Sequence, residues 1–139
     1  MTKAITLEEL KAKFHDGMTI MVGGFLANAT PERIVDAILE SGVKDITLIS
    51  NDTSYLDRGC GKLIVSRQVT KLVASHIGTN KVTGERMNSG DLEIEFSPQG
   101  TLAERIRAAG AGLGGVLTAT GIGTDVEKGK EKIVVDGKE

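Results

Sequence analysis

The residues that could do chemistry in this chain are few: a glycine-bearing loop and a handful of polar side chains at the ends of apolar runs. Gly23, Gly24, Phe25, Leu26, Ala27, Asn28 and Ala29 follow the apolar run Ile20-Met21-Val22 and lead to Thr30-Pro31. Paired glycines allow backbone angles and close approaches that a side chain would block. Exposed amides in such a loop suit an anionic or carbonyl-bearing ligand. Gln99 lies between Pro98 and Gly100, ahead of a helix start, where its carboxamide can point at a ligand. Position alone favours a solvated loop glutamine. Asn51 and Asp52 leave one apolar run and His76 leaves another. Each could cap a turn or fill a polar niche, and Asn51 and His76 could line a pocket.

Other groups are less promising. There is no His-Glu-x-x-His, no Cys-x-x-Cys and no clustered metal set, so no metal site is expected. Gly110-Ala111-Gly112-Leu113-Gly114-Gly115 formally fits a dinucleotide fingerprint, but it closes a helix, whereas the fingerprint must follow a strand and open one. A backbone wall or hinge is the better reading. Cys60 is the one cysteine and cannot form an internal disulfide; it reads as small and inert, in a reducing compartment. His15 falls at a helix end. Glu93 and Glu95 read as solvated on the outward face of a strand, and Lys128 to Lys132 as a surface charge run.

The elements that must position these residues alternate. Thr6-Leu7-Glu8-Glu9 is a capping box, with Leu7, Leu10 and Phe14 following at helical spacing. Met18 to Val22 is a short apolar run that reads as a buried strand. Thr30 can cap a helix with Pro31 at its first position, a stripe of Ile34, Val35, Ile38 and Leu39, and a stop at Gly42. Ile46 to Ile49 is then a strand, and strand–helix–strand argues for a parallel pair with a right-handed crossover. Tyr55 to Gly61 is loop or helix start, and Leu63 to Val65 is a short buried element of open type. Leu72 to Ser75 is a third strand, and Lys81 to Gly90 a polar connection. Leu92 to Phe96 alternates as a strand with one wet face and ends at Pro98. Thr101-Leu102-Ala103-Glu104 is a second capping box; its helix turns Leu102, Ile106 and Ala109 inward and stops at Gly110. Gly112 to Gly123 is loop, and Ile133 to Val135 a strand entering an Asp136-Gly137 turn.

These elements predict an α/β fold: an open, mostly parallel sheet with helices on both faces, formed by residues 1–139 as a single domain. Ligands of such sheets bind outside the carboxyl ends of the strands. The loops at Gly23–Ala29, Asn51–Ser54, His76–Asn80 and Pro98–Gly100 would share that rim. A net charge of −2 gives no electrostatic case for nucleic acid or an anionic membrane. No apolar run approaches a membrane span, and the first residues lack the apolar core of a signal peptide, so a cytoplasmic location is expected. With no Trp and few aromatic residues, the core must be aliphatic.

The stretch Asp16-Gly17, Ile20-Met21-Val22-Gly23-Gly24-Phe25 and Pro31 resembles the alpha subunit of family I CoA-transferases, with Ala29 standing where the family usually has glycine. Pro98-Gln99-Gly100-Thr101-Leu102-Ala103-Glu104-Arg105-Ile106-Arg107 matches a second signature of that family. The resemblance is greatest to bacterial subunits that move CoA between acetoacetate and acetate or butyrate. It spans essentially the whole chain but about the first two-thirds of the family's length, so the chain reads as C-terminally incomplete, with an open strand edge expected. The resemblance implies that Gly23 to Ala29 bind the CoA substrate and that Gln99 helps form an oxyanion hole. It also implies a beta-subunit partner in a hetero-oligomer, carrying the nucleophilic glutamate in a Ser-Glu-Asn-Gly motif that this chain lacks. Coenzyme A would be substrate and product, with no permanently bound cofactor. A sugar-phosphate isomerase or sensor of related architecture, or an inactive truncated subunit, are the alternatives.

Overall fold

The structure, a computed structural model, describes residues 4–137. The chain order is α1 (Leu7–Lys11), β1 (Thr19–Val22), α2 (Glu32–Ser41), β2 (Ile46–Asp52), α3 (Gly61–Val65), β3 (Val69–His76), α4 (Lys81–Ser89), β4 (Glu93–Phe96) and α5 (Gln99–Gly110). The four strands form one sheet in the order β1-β2-β3-β4, and every pair is parallel. Parallel pairing needs a crossover between successive strands; α2, α3 and α4 supply them.

Register decides what each face carries. Ile20, Leu48, Leu72 and Ile94 share one row, and Val22, Ser50, Ala74 and Phe96 share another. Side chains alternate along a strand, so both rows face the same way, toward the aliphatic core built with Val35 and Ile38 of α2 and Leu63 and Ile64 of α3. The opposite face carries Met21, Ile49, Val73 and Glu95, and Met21 is 59% exposed. On that face α5 packs beside β3, buries Leu102 and Ala108, and pairs Arg105 with Glu95 at 2.6 Å. Helices thus cover both faces, one of them only in part.

Most element assignments hold, including the first capping box. The stop at Gly42 holds too, in the left-handed region at φ +68°. Leu63 to Val65 belong to α3. Several expectations need correction. The polar connection at residues 81–90 is in fact a helix over 81–89: Asn80 caps Val82 N at 3.2 Å and Gly90 closes the end at φ +79°. The apolar period was no guide because α4 buries Thr83 and Arg86 instead of a hydrophobic stripe. Thr30 does not cap α2; Pro31 takes that position, and the Thr30 hydroxyl turns back to Gly23 O at 3.4 Å. Ile34 is 40% exposed, leaving Val35, Ile38 and the partly buried Leu39 as the inward stripe.

The second capping box does not form. Pro98 is the N-cap of α5, Leu102 N bonds Pro98 O at 2.8 Å, and Thr101 falls inside the first turn with its hydroxyl unpartnered. Glu104 pairs with Arg107 instead. This earlier start also changes the stripe: Leu102 and Ala108 face inward, while Ile106 and Ala109 are exposed. Glu93 and Glu95 are ion-paired with Lys71 and Arg105 instead of simply solvated. Ile133 to Val135 do not form a strand, although Asp136-Gly137 does turn, at φ 49° and 73°. Among the described residues, no helix is long and apolar enough to cross a membrane.

Arg86, 3% exposed, ties three elements together. Its guanidinium donates to Ile64 O at 2.8 Å, Val69 O at 2.9 Å, and Asp91 through Oδ1 at 3.0 Å. Asp91 also meets Arg67. Partial desolvation raises the Asp91 carboxyl, but Arg86 and Arg67 outweigh it and hold it below the usual carboxylate range. A lowered folded-state pKa gives stability that is present above the unfolded value and lost as pH falls through the folded one. Arg86→Ala should cost about 3 kcal/mol in urea unfolding, since it leaves two buried carbonyls without their donor and removes one of the two cations paired with Asp91. Asp91→Asn should remove part of the acid-side loss of stability while leaving the neutral-to-alkaline slope unchanged.

Candidate functional site at the strand ends

Because all four strands are parallel, their carboxyl ends share one rim, and hydrogen bonds join the loops there. The glycine loop is a tight hairpin: Phe25 N bonds Asn28 O at 3.1 Å, and Asn28 N bonds Phe25 O at 2.9 Å. Its central residues, Leu26 and Ala27, lie at φ 50° and 64°, and Ala29 at 59°. Positive φ at two central positions is the geometry of a type I′ turn, which usually takes Asn-Gly or Gly-Gly. Three L-residues in that region store strain of about 1–2 kcal/mol each. Gly24 is at φ +103°, and a Cβ there would lie 2.4 Å from Thr30 Oγ1 and 2.6 Å from Asn28 O. The glycine is thus required by conformation and by space.

The next strand end holds this loop in place. Asp52, 4% exposed, accepts from Leu26 N at 3.2 Å and from Ser54 N at 3.0 Å. Asn51 donates through Nδ2 to Gly24 O at 2.8 Å and accepts through Oδ1 from Gln99 Nε2 at 2.8 Å. The structure therefore places Gly24, Asn51 and Gln99 in one continuous network, with Gln99 exposed at the first turn of α5. His76 lies outside it; its ring is exposed and tilted against Phe25, with centroids 6.5 Å apart. The amides of Ala27 and Ala29 make no hydrogen bond among the described residues, which leaves donors on the loop for a ligand.

Residues behind the rim were not legible as a group. Glu32 accepts from Gly59 N at 2.7 Å and pairs with Lys62 at 2.6 Å, and Lys62 also pairs with Asp36. Burial pulls the Lys62 ammonium down, but Asp36 and Glu32 outweigh it and hold the group above the ordinary lysine value. Cys60, 4% exposed, is pushed up to about 12 by burial first and then by Asp52 and Glu32. It is a protonated thiol and no nucleophile at neutral pH. Ser75 donates toward Gln99 Oε1 at 2.6 Å. Only strand register could have revealed it: Ser50 pairs with Ala74 and Asp52 with His76, which sets Asn51 beside Ser75.

A cleft of about 700 Å³ lies elsewhere, between residues 116–135 and the β4–α5 edge. None of Gly23–Ala29, Asn51, His76 or Gln99 lines it. The rim has the convergent polar groups, and the cleft is mainly a consequence of the irregular C-terminal segment.

The backbone of the glycine loop makes a direct prediction. Ala29→Gly should leave the unfolding free energy unchanged or raise it by up to about 1 kcal/mol, because relief at positive φ competes with the added chain entropy of glycine. Ala29→Val should lower it by about 1–3 kcal/mol, since a β-branched residue is disfavoured there. Urea unfolding of the two variants beside wild type reads both.

A family model described as Coenzyme A transferase matches residues 4–139. The chain is 58% identical over 137 residues to the acetate CoA-transferase subunit alpha of Escherichia coli K12, covering 99% of this chain and 62% of that one. It is 55% identical over 138 residues to the acetoacetyl-CoA:acetate/butyrate CoA transferase alpha subunit of Clostridium acetobutylicum, covering 99% and 63%. The chain thus spans a little over three-fifths of the length of these relatives. Among solved structures, an acyl-CoA transferase of Escherichia coli O157:H7 in a thioester complex with CoA superposes with a TM-score of 0.71 at 22% identity, over 86% of this chain and 25% of that one. At that identity the superposition speaks to the fold alone. With the family model covering nearly every residue and identities above one half, the chain belongs to the coenzyme A transferase family.

Proposed function

We propose that this chain is the alpha-type part of an enzyme that moves CoA between short-chain carboxylic acids, acetoacetate with acetate or butyrate. The observation that carries the reading is the hydrogen-bonded union of the glycine loop, Asn51 and Gln99 on one rim. The names of the two alpha-subunit relatives support the substrate class. Residues 1–139 act as one domain, and the enzyme works in the cytoplasm. Coenzyme A is substrate and product. The glycine loop, from Gly23 to Ala29, lies against the CoA thioester, and Asn51 and His76 line the pocket beside it.

The nucleophile comes from a beta-type partner in a hetero-oligomer. Its glutamate carboxylate attacks the acyl-CoA carbonyl; the C–S bond breaks, the CoA thiolate leaves, and a mixed anhydride forms. The thiolate then attacks the glutamyl carbonyl, releases the first carboxylate, and leaves a glutamyl-CoA thioester for the second acid. Each attack places negative charge on a carbonyl oxygen. A fixed neutral donor stabilises that charge more in the transition state than in the ground state. Gln99 fits this role: one Nε2 hydrogen is engaged by Asn51, and the carboxamide keeps a second.

Two outcomes follow. The natural full-length chain, purified alone, should show no CoA transfer, and adding the partner should restore it; robust turnover by the chain alone would overturn the two-subunit reading. In the assembled complex, Gln99→Ala should slow single-turnover formation of the glutamyl-CoA thioester by about 10²–10³ without altering assembly. Gln99→Glu should be at least as damaging, because an ionised carboxylate cannot donate. Equal rates in all three complexes would remove Gln99 from the reaction.

A further inference from the structure

We propose that Ser75 is a positioning residue that fixes which end of the Gln99 carboxamide faces the glycine loop; this rests on the transfer reading above for its effect on rate, but not for its geometry. The chain of contacts has a fixed direction. Gly24 O can only accept, so Asn51 must present Nδ2 to it, at 2.8 Å. Asn51 Oδ1 then faces Gln99, which must present Nε2, again at 2.8 Å. Gln99 Oε1 is thereby turned to Ser75 Oγ at 2.6 Å, and Ser75 supplies the proton.

The same hydroxyl lies 2.7 Å from Asn51 O. Two amides and one hydroxyl thus supply three donors for four contacts, and the Ser75 proton is shared between two oxygens. Reversing the network would serve Asn51 O fully but would set Asn51 Oδ1 against Gly24 O, two acceptors at hydrogen-bond distance. The observed direction is therefore the stable one, and Ser75 is the only side chain that grips the Oε1 end of Gln99 among the described residues. Without it the exposed carboxamide keeps one bond and can rotate, so its free N–H no longer points in one direction.

The test uses the full-length chain assembled with its partner, as wild type, Ser75→Ala and Ser75→Thr. Two readings are taken: the ¹⁵N–¹H resonances of the Gln99 carboxamide, assigned by their loss in Gln99→Ala, and kcat and KM for CoA transfer. Ser75→Ala should move both carboxamide protons toward the shifts of a free glutamine and lower kcat about 3- to 10-fold, the worth of one neutral hydrogen bond, with KM little changed. Ser75→Thr, which keeps the hydroxyl, should restore both. Unmoved carboxamide resonances in Ser75→Ala overturn the proposal whether or not the complex transfers CoA. Moved resonances with an unchanged kcat, in a complex that does transfer CoA, overturn the positioning role. A wild-type complex with no transfer activity sinks the transfer reading instead, and the resonances then decide the clamp alone.

Discussion

Parallel pairing of β2 with both of its neighbours is the constraint on which the rest depends. It forces each connection to cross back over the sheet, and it delivers every strand's carboxyl end to one rim. Register then sorts the residues. Ile46 and Leu48 go into the core with Ser50 and Asp52 on the same face, while Asn51 emerges on the other beside Ser75. A slip of one residue would exchange these sets, burying Asn51 and exposing Leu48. Aliphatic burial of Leu48, Leu72 and Ala74 thus fixes the place of polar groups that have no packing role of their own.

The rim is also where local strain collects. Leu26, Ala27 and Ala29 adopt positive φ without the freedom of glycine. Such a conformation persists only when its surroundings over-determine it. Here Asp52 holds Leu26 N, Asn51 holds Gly24 O, and the Phe25–Asn28 pair closes the turn. Asp52 is buried and bonded to two amides, so it acts as a fastener of the loop. The strained loop therefore depends on β2 for its shape, and any change at that strand end is transmitted to it.

Much of this was legible in the sequence. Short apolar runs, and for the fourth strand a clean alternation ended by Pro98, located the four strands, and a parallel sheet followed from their alternation with helices. The glycine loop and Gln99 stood out through their match to the CoA-transferase signatures, since a glycine pair is an ordinary turn former and a glutamine in that position alone favours a solvated loop. What escaped was non-local or polar. Residues 81–89 carry no apolar period, because the helix is anchored by the guanidinium of Arg86. The start of α5 was misplaced because Thr101 and Glu104 have the spacing of a capping box while Pro98 already occupies the cap. Ser75 could not be singled out without the pairing of β2 and β3, a relation between strands that no single stretch encodes. The Ile133–Val135 run has β propensity but pairs with none of the four strands of the sheet.

The chemistry of the rim bears on the transfer reading proposed above. Gln99, Asn51, Ser75 and the free loop amides are neutral donors and acceptors, and the one carboxylate among them, Asp52, is already engaged by two amides. Cys60 is held as a thiol, and the Lys62 charge is neutralised by Glu32 and Asp36. Such a surface suits charge that develops on a bound oxygen, because fixed neutral dipoles need not reorganise when that charge appears. A net positive rim would hold substrate carboxylate and transition state about equally and would gain little in rate. In the transfer reading proposed above, neutral donors on this chain would complement an anionic nucleophile on the partner: repulsion between two carboxylates at the site would be avoided, and the stabilisation would be reserved for the step in which the thioester oxygen becomes charged.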